Sequence, residues 1–179
     1  MRLVLLLLAF FVLLPQSLLA GESVRMPLPA EIKDSLPWFA VREIRDNNTP
    51  FTKTHLQQLA KKNSRVALVY FATWCIPCRA GLKQIALNQQ EIQSAGTAIV
   101  LVNVGERDTE KVRLFLKKAS AGDIPAITDP YGRMTEAFGL VKEGQTIVLP
   151  KTIIVDSDVK PMLLVGEEGY DYLKILKGE

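Results

Sequence analysis

The sequence has few side chains that bind transition metals. Its 179 residues include two cysteines and one histidine. A closed structural zinc site takes four ligands, most often from these two residue types. Such a site therefore lacks ligands in this chain. The histidine, His55, lies on the polar side of a predicted helix, and we interpret it as a surface residue without a catalytic role.

An excess of charge of one sign is also lacking. The chain has 22 lysines and arginines against 19 aspartates and glutamates, which gives a net charge of +3. Basic pairs fall at the ends of predicted helices, at 61–62 and 117–118, where they complement the helix dipole. This balance gives no electrostatic reason to expect nucleic acid as a partner. The sequence also carries no nicotinamide or flavin fingerprint, and we expect no cofactor.

A long apolar run occurs at the start of the chain. About 12 apolar residues, 3–14, follow the basic Arg2, and small residues stand at Ala20 and Gly21. These are the three parts of a secretory signal peptide. The run is shorter than the roughly 20 residues of a membrane-spanning helix. We therefore predict a signal peptide over 1–20, with an uncleaved anchor as the alternative. Any membrane association is expected through this segment only.

The remaining residues, 21–179, are enough for one domain with a single core. Their apolar patterns predict strands at 38–45, 66–72, 98–104, 124–127, 152–155 and 162–165. They predict helices from the N-cap Thr52 to about 62, over 75–94, after the N-cap Asp108, over 134–138 and over 170–176. Buried strands that alternate with helices indicate an α/β fold with a largely parallel sheet and an antiparallel edge near the end.

Both cysteines lie in one short motif, Cys75-Ile76-Pro77-Cys78, between a predicted buried strand and a predicted helix. Three interpretations are open. A structural disulfide here would close a loop of about four residues and contribute roughly 2 kcal/mol, against about 4.7 kcal/mol for a long loop. A zinc site lacks ligands, as noted above. The third interpretation is a redox-active pair.

The redox interpretation accounts for each position of the motif. The N–H groups at the start of a helix stabilise the thiolate form of Cys75. Pro77 has no N–H group and suits the first helical turn. Cys78 is then within bonding reach and can resolve a mixed disulfide with a substrate. A CxxC motif after a strand in a βα unit is typical of redox proteins.

The segment Phe71-Ala72-Thr73-Trp74-Cys75-Ile76-Pro77-Cys78 resembles the active-site motif of TlpA/ResA-like thioredoxins. The resemblance extends over nearly all of 21–179, through segments that match in the same order. These segments are 38–51 (an extra N-terminal hairpin), 102–106 (a strand end with a glutamate), 129–133 (a turn) and 149–156 (a cis-proline loop and strand). The resemblance implies a thioredoxin-like fold, with a central mixed sheet flanked by helices and an N-terminal β-hairpin extension.

The resemblance also implies roles for individual residues. Cys75 would be the attacking thiol and Cys78 the resolving thiol. Pro150 would face the two sulfurs, and the peptide bond before it would be cis. A cis peptide bond has a low energetic cost only before proline, so such a turn requires this residue type. Glu106 would be a proton-handling carboxylate with a raised pKa.

Four further residues would form the surface that a substrate contacts. They are Trp74, Ile76, Pro77 and Leu149, the last of which would present its backbone to a substrate peptide.

Three positions depart from the pattern of the family. Val69 stands where thioredoxin has a buried aspartate, six residues before the first cysteine, and Gly81 stands where ResA has a glutamate. Ile76 replaces an acidic residue of the ResA motif. We therefore expect fewer acidic groups at the site, with slower resolution or reliance on Glu106 and water.

The expected function is reduction of disulfides in exported cysteine-containing proteins, such as apocytochrome c. The expected location is the bacterial periplasm or the outer face of the cytoplasmic membrane, with a membrane electron-relay protein as reductant. An oxidant that forms disulfides would need the same residues. A Sco-like copper-handling protein is disfavoured, because that group uses CxxxC and a distant histidine, and no histidine follows Val66. A non-catalytic interaction domain is disfavoured because both cysteines are present.

Overall fold

The computed structural model describes residues 21–45, 49–142 and 145–179. The predicted signal peptide lies outside these residues. The strands are β1 (Val24–Met26), β2 (Ala40–Glu43), β3 (Pro50–Thr52), β4 (Arg65–Phe71), β5 (Thr97–Val104), β6 (Ala126–Asp129), β7 (Lys151–Asp156) and β8 (Pro161–Glu167). The helices are α1 (Lys53–Lys61), α2 (Ile76–Leu87), α3 (Gln89–Ser94), α4 (Thr109–Lys118), α5 (Arg133–Ala137) and α6 (Tyr172–Lys177), with a short 3₁₀ helix at Ala30–Ile32. None of the helices in the described ranges is long and apolar enough to cross a membrane.

The strands form one eight-stranded sheet in the order β1-β8-β7-β4-β5-β6-β2-β3. Among the described strands, β4–β5 and β5–β6 are the parallel pairs, and antiparallel strands extend this parallel centre on both sides. The prediction of a largely parallel sheet is therefore wrong, because the other five pairs are antiparallel. The mixed α/β fold and the N-terminal hairpin, formed by β2 and β3, are confirmed. The β7–β8 pair is antiparallel as predicted. However, β8 is not the edge strand on this side of the sheet, because β1 pairs with it on the outside. The sequence pattern misses β1, because all three of its residues are exposed.

Helices cover both faces of the sheet, which explains why β4 is buried and uncharged from Val66 to its end. Ala67, Val69 and Phe71 face a cluster of buried residues that includes both cysteines and residues of α2, α4 and α6. The alternate positions of β4 face a second cluster, which includes residues of α1 and α5. The cysteine motif therefore follows the end of a buried central strand and packs over the first cluster.

The prediction of a single helix over 75–94 is wrong. Asn88 interrupts it with φ −111° and ψ 14°, so that α2 ends at Leu87 and α3 begins at Gln89. The Asn88 side-chain amide donates a hydrogen bond to the carbonyl of Gln84 at 2.8 Å. Asparagine competes in this way for backbone groups and so favours helix ends over helix interiors.

The strand predicted over 124–127 begins and ends two residues later, as β6. Pro125 precedes it and has no N–H group to donate to a neighbouring strand. Its carbonyl still accepts a hydrogen bond from the Leu101 N–H at 2.8 Å, so the segment is aligned with β5 before the strand begins.

Candidate active site

Cys75 and Cys78 form a disulfide at the N-terminus of α2, with their Cα atoms 5.3 Å apart. Cys75 is the N-cap residue, and its Sγ accepts a hydrogen bond from the Cys78 N–H at 3.2 Å. Pro77 occupies the first turn, where no intrahelical N–H bond is required. The predicted placement of the motif between a buried strand and a helix N-terminus is confirmed. At this position a sulfur anion faces the positive end of the helix dipole.

The disulfide is buried beneath an exposed apolar rim. Cys75 is 4% exposed and Cys78 is 2% exposed, whereas Trp74 is 58% and Ile76 81% exposed. Pro77 is also exposed. Large exposed apolar side chains around a reactive group mark a surface that another molecule can cover. A molecule that covers this rim would lie over the disulfide.

The Leu149–Pro150 peptide bond is cis, as the resemblance implied. Pro150 is buried, and Leu149 packs against the cluster of buried residues that contains both cysteines. Leu149, Pro150 and Pro77 line one cavity, so the cis-proline loop lies beside the cysteine motif. The structure thus brings four residues of the predicted site together: Cys75, Cys78, Leu149 and Pro150.

Glu106 is held by four hydrogen-bond donors on one flank of the motif. Its carboxylate accepts bonds from the Thr73 N–H at 2.7 Å, the Thr73 hydroxyl, the Asn103 amide at 2.8 Å and the Lys111 ammonium at 3.2 Å. Partial burial raises the pKa of Glu106, but these donors outweigh burial and hold the pKa below its usual value. The predicted raised pKa is therefore wrong. Glu106 instead fixes the turn between β4 and Cys75.

Glu168 lies on the other flank and was not identified from the sequence. It follows β8, and its carboxyl group occupies the space beside Gly81 that a larger residue would fill. Burial raises the pKa of Glu168 to about 7, although a hydrogen bond from Tyr172 opposes the shift. The expectation of a site poor in acidic groups is thus incomplete. The signal in the sequence was Gly81 itself, a glycine inside a predicted helix and one of the departures noted above.

Val69, another position that departs from the family pattern, has uncharged surroundings. Val69 is buried and lies opposite Thr152 of β7. The Thr152 hydroxyl lies 2.7 Å from the Tyr172 hydroxyl, so the polar contact next to Val69 is made by two neutral side chains.

His55 forms a capping box with Thr52 at the start of α1, and its side chain is exposed, as predicted. Among the described residues, no group of three or more His, Cys, Asp or Glu could hold a metal ion.

Comparisons with known proteins agree with this geometry. A model of the AhpC/TSA family matches residues 32–160. The thiol-disulfide oxidoreductase ResA of Bacillus subtilis (strain 168) is 26% identical over 121 residues, which are 65% of this chain and 63% of ResA. The chain thus matches somewhat less than two thirds of the length of this relative.

Two solved structures share the fold. A secreted thiol-disulfide isomerase of Corynebacterium glutamicum is 22% identical, with a TM-score of 0.65, and the match covers 89% of this chain and all of that one (100%). A thiol:disulfide interchange protein of Chlorobium tepidum, described as a thioredoxin family protein, is 21% identical with a TM-score of 0.62. That match covers 84% of this chain and 97% of the other. At such identities the likeness establishes the architecture only.

Proposed function

Since this chain belongs to the AhpC/TSA family, we propose that it is a thiol–disulfide oxidoreductase that cycles between the Cys75–Cys78 disulfide and the two thiols. The observation that carries this proposal is the placement of Cys75 at the N-cap of α2, with its Sγ accepting the Cys78 N–H at 3.2 Å. A purely structural bridge across so short a loop contributes little stability. The printed name of the Bacillus subtilis relative, a thiol-disulfide oxidoreductase, supports the same activity.

The proposed reaction has two steps in the reducing direction. The Cys75 thiolate attacks one sulfur of a substrate disulfide, and the second substrate sulfur leaves as a thiolate that takes up a proton. The Cys78 thiolate then attacks Cys75 Sγ, which breaks the mixed disulfide and releases the first substrate sulfur as a second thiolate. The protein loses two electrons, and the substrate gains two electrons and two protons.

We propose a part in these steps for each neighbouring residue. The helix dipole and the free N–H groups at the N-terminus of α2 stabilise negative charge on Cys75 Sγ before it attacks the substrate. The exposed rim of Trp74, Ile76 and Pro77 receives the apolar surface of the substrate. The backbone of Leu149, next to the cis-proline, pairs with the substrate chain beside the target sulfur.

We propose further that the substrates are exported cysteine-containing proteins, with apocytochrome c as one example, and that a membrane dithiol protein returns the electrons. The predicted signal peptide supports export, as does the description of the Corynebacterium glutamicum structure as secreted. A reducing role sets the expected reduction potential near −270 mV, whereas an oxidant would lie near −120 mV. Equilibration with glutathione or dithiothreitol buffers measures this potential and decides the direction.

Trapping with Cys78→Ser tests the activity and identifies the substrate. This variant can attack but cannot resolve, so partners are expected to accumulate on Cys75 as mixed disulfides that a reductant dissolves. The variant with both cysteines changed to serine is the matched control and should capture nothing. The proposal is wrong if no partner accumulates in the native compartment and Cys75 alkylates no faster than free cysteine.

A further inference from the structure

The second flank of the site contains a cavity of about 630 Å³, which reaches the cysteine motif at Pro77. The cis-proline loop and the start of α2 form one side of it, and the segment that follows β8 forms the other. Its lining includes Pro77, Gly81, Leu149, Pro150, Glu168 and Tyr172. The cavity therefore joins the rim where a substrate would lie to a carboxyl group that the reaction steps above do not use.

The carboxyl group of Glu168 lies directly against α2. All three of its carboxyl atoms are within 2.8 Å of the point where a Cβ of residue 81 would stand. Gly81 follows Cys78 by three positions, and residues so spaced are neighbours on one face of a helix, with roughly 5–6 Å between Cβ positions. The carboxyl group thus lies one helical turn from the resolving cysteine. Glycine at position 81 is what makes room for it.

The surroundings of Glu168 favour titration near neutral pH. Burial raises its pKa to about 7, and the hydrogen bond with Tyr172 is the only contribution that lowers it. The other ionisable groups that line the cavity are Glu167, Tyr170 and Tyr172, and α2 contributes the uncharged Gln84. Lys151 of β7 interacts with Glu167. A carboxyl group that titrates near the working pH can both accept and return a proton.

Tyr172 connects this carboxyl group to the core beneath the disulfide. Its side chain hydrogen-bonds Glu168, and its hydroxyl lies 2.7 Å from the Thr152 hydroxyl. Tyr172 also belongs to the cluster of buried residues that contains Cys75 and Cys78. The orientation of Glu168 is therefore fixed from the same core that positions the resolving thiol.

We propose that Glu168 exchanges a proton with Cys78 through water in this cavity during resolution of the mixed disulfide, an inference that rests on the oxidoreductase function proposed above. The Cys78 S–H bond breaks, and its proton passes to the Glu168 carboxylate. The sulfur then attacks Cys75 Sγ, and the bonding pair of the mixed disulfide leaves on the substrate sulfur, which takes a proton from solvent. In the reverse direction Glu168 returns the proton to Cys78 as it leaves.

The two steps can be measured separately with 5,5′-dithiobis(2-nitrobenzoate). Attack by Cys75 on this probe releases one coloured thiolate, and resolution by Cys78 releases a second. In the wild type the rate of the second release should rise through an inflection near pH 7. In Glu168→Gln the second release should slow by about tenfold at neutral pH and lose this inflection, while the first release keeps its rate.

Three further variants separate proton exchange from a merely structural role. Glu167→Gln removes the neighbouring exposed carboxylate and should leave both releases unchanged. Gly81→Ala forces the Glu168 carboxyl group out of its place and should reproduce the slow second release, although alanine is the better helix former. The double change Gly81→Glu with Glu168→Gly returns a carboxyl group from the helix and should restore the second release to within a few-fold of the wild type.

The outcomes distinguish the two proposals. A second release in Glu168→Gln that matches the wild type in rate and in pH dependence would overturn the role of Glu168 and leave the proposed function intact. A first release in the wild type that is no faster than the reaction of free cysteine would overturn the proposed function itself. Slow second releases in both Glu168→Gln and Glu167→Gln would indicate a general effect of surface charge and would also overturn the specific role.

Discussion

Two carboxyl groups flank the cysteine motif, and the structure treats them in opposite ways. Glu106 follows the parallel strand β5, and four donors hold its pKa below the usual value. Glu168 follows the antiparallel strand β8, and burial with a single hydrogen bond from Tyr172 leaves its pKa at about 7. Both lose solvent on folding. The number of donors, and not burial alone, therefore decides which form of each acid the fold prefers.

The difference assigns a separate task to each flank. Glu106 binds both the N–H and the hydroxyl of Thr73, so its charge fixes the turn that carries Cys75. The four donors favour the charged form of this carboxylate. Glu168 binds no backbone group of the motif and occupies the space that Gly81 leaves open. One flank thus positions the motif, and the other can exchange protons.

The largest expected effect concerns the pH dependence of stability. Because the pKa of Glu168 is raised from 4.5 to about 7, the folded state binds this proton more tightly than the unfolded state. The resulting stability is complete below pH 4.5 and is lost as the pH rises through 7. The loss is on the order of 3 kcal/mol. Glu168→Gln should remove this part of the pH dependence.

Urea unfolding of the oxidised protein at pH 5 and pH 8.5 measures this effect. The free energy of unfolding of the wild type should fall more between these two values than that of Glu168→Gln. Glu167→Gln is the control and should follow the wild type. Equal falls in the wild type and in Glu168→Gln would show that the two acids do not differ as described.

Glu106→Ala should produce the next largest effect, and it should have the opposite pH signature. This change leaves the Thr73 N–H and the Asn103 amide without their acceptor, which should lower the free energy of unfolding by about 2 kcal/mol. The lowered pKa of Glu106 contributes stability that is present above its ordinary value and is lost as the pH falls below it. Glu106→Ala should therefore be less sensitive to acid than the wild type.

The effect on the reaction should also differ between the two flanks. Glu106→Ala should slow attack by Cys75 at every pH, because the turn before this residue loses its anchor. Glu106→Gln retains one acceptor oxygen and should lie between the alanine variant and the wild type. Unfolding curves and the rate of the first thiolate release measure both expectations. Identical stability of the alanine variant and the wild type would contradict the anchoring role.

The parts of this site that follow from short segments could be predicted from the sequence. The placement of Cys75 at a helix N-terminus depends on the motif and on the strand before it. Pro150 could be recognised from its position before a strand and after the motif, and its peptide bond is cis. The limits of α2 were harder to predict, because one asparagine outweighs the helical periodicity on both sides of it.

The parts that depend on distant residues could not be predicted. The space beside Gly81 is visible in the sequence as a missing side chain, but its occupant comes from the end of β8. Likewise, Glu106 was identified as a site residue, but its pKa depends on three other side chains and a backbone group. The direction of a pKa shift follows from the balance of desolvation and donors, which only the folded arrangement defines.

The smallest expected effect tests whether an ion pair or the neutral donors keep Glu106 charged. Lys111 lies 3.2 Å from Glu106, but its side chain is 60% exposed. Exposed ion pairs contribute less than about 1 kcal/mol and are screened by salt. Lys111→Met should therefore lower the free energy of unfolding by less than this amount, and the difference from the wild type should vanish in high salt. Lys177→Met, which removes the remote ion pair with Glu91, is the matched control. If Lys111→Met instead lowers the free energy of unfolding by more than about 2 kcal/mol and slows attack by Cys75, the ion pair rather than the donors Thr73 and Asn103 holds Glu106. The two flanks would then differ in that a charge holds one carboxyl group and burial surrounds the other.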